Sequence, residues 1–387
     1  MFPQIRVQFP ASPHFAPITL LGAAWQAKPD GSAYVFCYNR HTMEKNFLVS
    51  QFYNILYLAG FETLSPHERE AYLLLVGDRK IIITDARYNG EKHSEDSELY
   101  IFKQGEKIGE VIQRICKDNK ITILGCEADD LKWSEIQMIQ KLGIEFIPVA
   151  HAFSLERSIK TDEELFAIKQ ACHIGDLVLK DITPYIHPGQ TEKEIAWLIE
   201  KSIREGYNAE LSFDPIVAVD THAAVPHYNT KKGNGTIEDG SLLLLDFGVK
   251  FHNYCSDITR MVGVGEVATE IKKTYSQLLD VQKRTISYGD TENELIKMDE
   301  YCRKELQKYG LPIFNHSTGH GIGLEVHESP RVSFISQETK KPGQVFTIEP
   351  GVYIDGKWGM RIEDTITVLD HGELEVLTRF PKELILV

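Results

Sequence analysis

SLLLLDFGVKFHNYCSDITRMV, residues 241–262, is the stretch from which the rest of the chain can be read. An apolar run is interrupted by Asp246, and a second β-rich run carries Asp257. A reversal at Phe251-His252 would make a hairpin with Asp246 facing Asp257. Residues directly opposite in an antiparallel pair share a face, with Cβ atoms about 4.5–5.5 Å apart. Two carboxylates so placed repel, and burial strengthens the repulsion. One aspartate in such a run is more often turned to solvent on a twisted edge.

A second stretch changes the balance. In GQVFTIEPGVYIDGKWGMRIEDTITV, residues 343–368, a turn at Asp355-Gly356-Lys357 sets Glu349 opposite Glu363. Two hairpins that each hold an opposed acidic pair among apolar residues are poorly explained by solvation. A cation, or two, would convert four repelling carboxylates into ligands. A third stretch, HSTGHGIGLEVHESP (316–330), concentrates His316, His320 and His327. With His320 as nitrogen donor, one imidazole and four carboxylates suit Mn²⁺, Fe²⁺, Co²⁺ or Zn²⁺ better than Ca²⁺ or Mg²⁺. Because carboxylates bridge, five residues are enough for two ions roughly 3.5–4 Å apart. The glycines around His320 permit close approach of backbone and substrate.

Composition narrows the class. The chain has 387 residues, enough for two or three domains, and a formal net charge of −14. That charge argues against nucleic acid or an anionic membrane as partner. No apolar run reaches the roughly 18 residues that a membrane helix needs. Residues 15–27 have some signal-segment character, but the lone Arg6 before them is a poor charged lead. Six cysteines without paired spacing read as reduced thiols, so the expected location is cytoplasmic.

The order of elements predicts an α+β protein. Residues 1–45 are proline-rich, with a turn at Pro29-Asp30-Gly31, and form an unassigned extension packed with the domain that follows. Residues 46–155 form an α/β domain. There FLVS, NILYLAGF, AYLLLVG and KIIITDARY read as short β-rich runs, 105–118 and 129–142 as helices, and ITILGCE as a further strand. Residues 156–387 repeat a pattern of two helices followed by a hairpin. The helices are expected at 162–183, 192–205, 267–288 and 292–309, and the strands at 212–219, 241–250, 254–263, 345–354 and 359–369. Capping boxes at Thr161…Glu164, Thr191…Glu194 and Thr291…Glu294 mark helix starts, and the last two suggest a duplication with a step of 100 residues.

These motifs resemble the pita-bread metallopeptidases, the family of methionine aminopeptidases, aminopeptidase P and prolidase. The matching segments, in the family's Asp, Asp, His, Glu, Glu order, are LLLDFGV, YCSDITR, GHGIG, TIEPGVY and RIEDT. The resemblance covers roughly 155–387, and residues 46–154 resemble a creatinase-like N-terminal domain. That domain, the 14-residue step from Glu349 to Glu363 and the HESP segment are closer to the Xaa-Pro peptidases. Creatinase shares the fold without the metal ligands.

The resemblance implies a hydrolase with two divalent ions, manganese first and Co, Zn or Fe as alternatives. Asp246 would chelate one ion, Asp257 and Glu363 would bridge, and His320 with Glu349 would hold the other. A bridging hydroxide would attack the Xaa-Pro bond, with Glu349 moving the proton. His227 and His327 match two non-ligand histidines that contact the substrate and the tetrahedral intermediate. Tyr353 and Arg361 match positions behind the ligands. His316 has either a supporting or a plain structural role, and Arg331 is either an anchor for a dipeptide's carboxylate or a surface arginine. The chain departs from the pattern at Asp220-Thr221-His222, where relatives carry Ser-Gly; aspartate tolerates the left-handed turn expected there. The expected substrates are small peptides with proline second, cleaved by a homodimer acting as an Xaa-Pro dipeptidase (prolidase). The alternatives are aminopeptidase P activity on longer peptides and a non-catalytic pita-bread peptide-binding protein.

Overall fold

The computed structural model describes residues 46–141 and 143–387, together with the paired strands Ala24–Gln26 and Val35–Cys37. The turn expected at Pro29-Asp30-Gly31, and the packing expected of residues 1–45, lie outside the described residues. The chain divides into two compact units, 1–150 and 151–387. No helix among the described residues is long and apolar enough to cross a membrane.

In the first unit six strands form one mixed sheet. Their order is Ser97–Ile101, Arg79–Thr84, Ala71–Val76, Asn46–Val49, Ile123–Glu127, Glu145–Val149. Helix Ile108–Asp118 buries Val111, Ile112 and Cys116 against Leu48, Leu74, Ile83 and Leu124. The β-rich reading of NILYLAGF is wrong, because residues Phe52–Ala59 are a helix that ends at Gly60 in a left-handed conformation. The segment that enters it is tied down from far away in the chain. The buried carboxylate of Glu127 accepts from the backbone of Ser50 and Gln51 and from the side chain of Asn54. An anchor supplied 73–77 residues downstream leaves no local signal.

The second unit is built from two similar halves. Helices Asp162–Ile182 and Glu192–Lys201 precede the first hairpin, and Thr269–Thr291 and Leu295–Lys308 precede the second. The first two capping boxes form as expected. The third does not: Thr291 stays helical and its hydroxyl bonds Tyr288 O, so the next helix begins at Leu295 without a side-chain cap. The duplication shows instead in two isolated bridges, Thr191↔Thr236 and Glu294↔Thr339, whose members are related by a step of 103 residues (294 − 191 and 339 − 236). Asp246 and Glu349 stand the same distance apart.

The first hairpin pairs Leu242–Phe247 with Ile258–Gly263, and the second pairs Val345–Ile348 with Asp364–Val368. All six residues of Leu242–Phe247 are buried, because the strand is covered on both faces. Leu243, Leu245 and Phe247 pack in the cluster with the first helix pair, while Leu242 and Leu244 face the opposite side with Met261, Leu278 and Leu306. A strand's period of two therefore places Asp246 on this inner side. In the second hairpin Phe346, Ile348, Ile366 and Val368 share one apolar cluster, so Thr347, Glu349, Glu363 and Thr365 fall on the other face.

Candidate metal centre

The acidic residues sit where the hairpins come apart. Strand segments end at Phe247 and resume at Val249, end at Cys255 and resume at Ile258, end at Ile348 and resume at Gly351, and end at Arg361 and resume at Asp364. Asp257, Glu349 and Glu363 lie in those gaps and Asp246 two residues before the first. Pro350 contributes to one break because it has no N–H for a ladder. The two hairpins meet at an isolated bridge between Thr259 and Glu363.

The expected register holds in the second hairpin. Ile348 pairs with Asp364 and Gly351 with Arg361, which sets Glu349 opposite Glu363. In the first hairpin it is corrected by two residues: Asp246 pairs with Thr259, not Asp257. The turn is His252-Asn253, both left-handed with φ of 47° and 69°, one residue later than expected. Such two-residue turns match the twist of the strands. A slip of two leaves every side chain on its original face, so Asp246 and Asp257 still point inward.

Oxygens of Asp257 and Glu363 and a ring nitrogen of His320 all lie within 4.8 Å of one another, and all three residues are buried. His320 Nε2 is 3.7 Å from Asp257 Oδ2 and 3.5 Å from Glu349 Oε1. Its Nδ1 is 3.2 Å from Gly321 O, an acceptor only. The proton therefore resides on Nδ1, and Nε2 turns a lone pair toward carboxylate oxygens. Burial, then His327, lowers the His320 pKa to about 3, so the ring is neutral. Burial pushes Asp257 and Glu349 well above the ordinary carboxylate range, and repulsion by neighbouring carboxylates adds to it. Glu363 is raised to about 7 by burial and then by Asp246. Asp246 Oδ1 and Asp257 Oδ1 are buried without a hydrogen-bond partner. Unmet acceptors, crowded carboxylates and a neutral imidazole lone pair are the donor set that a divalent cation satisfies.

One buried arginine organises the surroundings. Arg361 ion-pairs with Asp246 through Nη2, donates from Nε to Thr259 Oγ1 at 3.1 Å and from Nη1 to Tyr353 Oη at 2.9 Å. The Thr259 hydroxyl in turn donates a hydrogen bond to Glu363 Oε2 at 2.7 Å. Tyr353 Oη meets His316 Nε2 at 3.0 Å, while His316 Nδ1 bonds Ser317 O. His316 is neutral, its pKa lowered to about 4 by burial and then by Arg361. Arg303, paired with buried Asp299, holds the backbone at His316 O.

His327 is exposed on one side yet stacks edge-on with His320, ring centres 4.3 Å apart, and partial desolvation followed by His227 and Arg331 disfavours its charged form. His227 is exposed, and Arg361 reaches the neighbouring Pro226 O. Arg331 is exposed and stands opposite His320 in the ladder. Asp220 adopts the left-handed turn, with φ of 48°, and its carboxylate accepts from Ser241 and Leu242 N. The glycines flanking His320 serve backbone approach. A Cβ on Gly319 would lie 1.8 Å from Thr347 O, and one on Gly321 2.3 Å from Ser329 C.

Sequence reasoning missed Thr259 and Arg260. Thr259 was legible as the next same-face position after Asp257. Arg260 was not: fully buried, it bonds Asp364 Oδ1 at 2.8 Å and Glu363 O at 2.6 Å, and fixes the backbone behind Glu363. An arginine in an apolar run declares no partner over 100 residues away.

Comparison with known proteins places the chain in a family. Residues 167–370 match metallopeptidase family M24, and residues 44–159 match the creatinase/prolidase N-terminal domain. The chain is 31% identical over 351 residues to a protein from Pyrococcus horikoshii named Xaa-Pro dipeptidase, covering 89% of this chain and 96% of that one. Its fold is similar to the Xaa-Pro dipeptidase from Bacillus anthracis, with a TM-score of 0.82, 34% identity and coverage of 90% and 98%. It is also similar to the X-Pro aminopeptidase from Thermotoga maritima, with a TM-score of 0.80, 30% identity and coverage of 90% and 99%.

Proposed function

The chain belongs to metallopeptidase family M24 and is a metal-dependent peptidase with a pita-bread catalytic domain, and from that premise we propose that it cleaves the Xaa-Pro bond of dipeptides or short peptides with two divalent ions, manganese first among them. The observation that carries this is the convergence of Asp257, Glu363 and His320 within 4.8 Å, with Glu349 3.5 Å from the His320 nitrogen. Asp246, held by Arg361, completes the five-ligand set. When bound, the ions lower the pKa of a water and polarise the scissile carbonyl.

The chain's own residues do the rest. Asp257, Glu363, Asp246, Glu349 and His320 Nε2 would hold the ions, with Asp257 and Glu363 shared between them. The proline nitrogen must gain a proton to leave as an amine, and Glu349 would carry it there from the attacking water. His327 and His227 meet the substrate and the tetrahedral intermediate. Arg361 holds Asp246 through its guanidinium, and Tyr353 with His316 continue that chain of hydrogen bonds. Arg331 is assigned to a dipeptide's free carboxylate, a bidentate contact that suits a guanidinium. The protein acts as a homodimer in the cytoplasm. Five free, buried cysteines among the described residues fit a reducing compartment. The catalytic domain is taken as 156–387 and the N-terminal domain as 46–155, with 1–45 as an extension.

Aminopeptidase P activity is the second reading, favoured by the similarity to the Thermotoga maritima enzyme. Xaa-Pro and Xaa-Pro-Yaa peptides assayed side by side with Mn²⁺ decide between them. Equal or faster cleavage of the longer peptide overturns the strict dipeptidase. Absence of bound metal, with no turnover under Mn²⁺, Co²⁺, Zn²⁺ or Fe²⁺, leaves a peptide-binding protein.

A further inference from the structure

A buried ion cluster lies beside His327 and takes no part in the chemistry above. The carboxylate of Glu328 is 8% exposed; its Oε1 is 2.7 Å from Lys160 Nζ and its Oε2 is 2.6 Å from Arg157 Nη2. Arg157 Nη2 also meets Glu325 Oε2 at 2.7 Å. Lys160 and Arg157 are 1% and 6% exposed in their side chains. Space for the carboxylate is made by Gly323, where a Cβ would come within 2.4 Å of Glu328 Oε1.

Both cations sit on a short strap, which includes helix Ser154–Ser158 and is stitched to the second hairpin. Lys160 N donates to Gly343 O at 2.9 Å, Ile159 bridges Gln344, and Gln344 Nε2 reaches Ser158 Oγ at 3.3 Å. The strand Glu328–Val332 pairs with Gly319–Gly321, and its ladder ends at the pair Gly321↔Glu328, after a register shift next to His320. His327 is thus the first residue beyond the ladder, and backbone pairing does not hold it. The residue next to it is held by two cations. Burying such charges is a poor source of stability, since desolvation offsets most of the attraction. Order imposed at one place is what the cluster does supply.

We propose that Glu328, clamped by Lys160 and Arg157, is a positioning residue that fixes His327 against His320 and the substrate. The proposal rests on the assignment of His327 to the substrate. Reaching groups must be placed closely, and a misplacement of 1 Å costs on the order of 100-fold in rate.

The test uses the full chain with Lys160→Met and Glu328→Gln, each alone and combined with His327→Ala. Either variant is expected to lower kcat on an Xaa-Pro dipeptide by about 10- to 100-fold, with KM within about twofold and Mn²⁺ content unchanged. Combined with His327→Ala, neither lowers kcat further, and Lys160→Arg recovers part of the loss. Hydrogen exchange in the metal-stripped protein is expected to rise in the 319–332 segment and nowhere else. An unchanged kcat, an equal loss in the His327→Ala background, or exchange that rises throughout the second unit overturns the proposal. If the unaltered chain cleaves no Xaa-Pro peptide, the proposed function fails, while the exchange measurement still decides whether the clamp orders this segment.

Discussion

Replacing Glu363 by glutamine should have opposite effects on the metal-free and metal-loaded protein. Glu363 is buried, and its Oε2 accepts the Thr259 hydroxyl at 2.7 Å, a bond that glutamine's amide oxygen can keep. Its folded-state pKa is near 7 against an ordinary 4.5, through burial and then Asp246. The gap corresponds to about 3 kcal/mol. For an acid raised in this way, the folded state bears no penalty while the proton is bound in both states, below about pH 4.5. As pH rises the unfolded chain releases its proton first, and stability falls until the folded carboxyl has ionised, above about pH 7. Glutamine has no proton to lose. Metal-stripped Glu363→Gln is therefore expected to be more stable than the unaltered protein by about 3 kcal/mol at pH 8, and by about 1 kcal/mol or less at pH 5. Urea unfolding followed by tryptophan fluorescence measures both. With Mn²⁺ the sign reverses, because the variant has lost a ligand and gains less from binding to the native state. A variant that is no more stable at pH 8 than at pH 5, or one that Mn²⁺ stabilises as much as the unaltered chain, would refute the idea that carboxylate crowding is relieved by the ion.

Arg361→Met should destabilise the metal-free protein by about 3–5 kcal/mol, since Asp246 is left buried without its cation; denaturant midpoints with and without Mn²⁺ would show the deficit shrinking when metal binds. His227→Ala and His327→Ala are each expected to lower kcat by about 10²–10⁴, with metal content by elemental analysis unchanged; loss of metal in either would make that histidine a ligand. Burial raises the thiol pKa to about 12 in Cys255 and Cys302 and also raises that of Cys172. These thiols should stay unreactive toward a thiol-disulfide reagent until the protein unfolds, and labelling of any one of them in the folded protein would contradict its burial.

The pattern of helices and hairpins in residues 156–387 was legible because strong local signals repeat there: two formed capping boxes, apolar runs of strand length and a glycine turn at Gly356. The helix Phe52–Ala59 was not, since it has no side-chain cap, its entry is anchored by Glu127 far downstream, and a short apolar run alone suits either structure. The third capping box failed because Thr291 bonded back into its own helix. Strand periodicity put Asp246, Asp257, Glu349 and Glu363 on inner faces, and this survived a register error of two because the period is also two.

What the sequence determined by itself was therefore the identity and the facing of the candidate ligands, which depend on side-chain chemistry and alternation within single strands. Tertiary structure decided everything that depends on partners distant in the chain. It paired Arg361 with Asp246, joined Thr259 to Glu363, buried Arg260 behind the second hairpin and set Lys160 and Arg157 on Glu328. Charge pairing is non-directional along a sequence, so a lone arginine or lysine does not name its carboxylate; only the packed fold brings the two together and removes the water that would otherwise serve either.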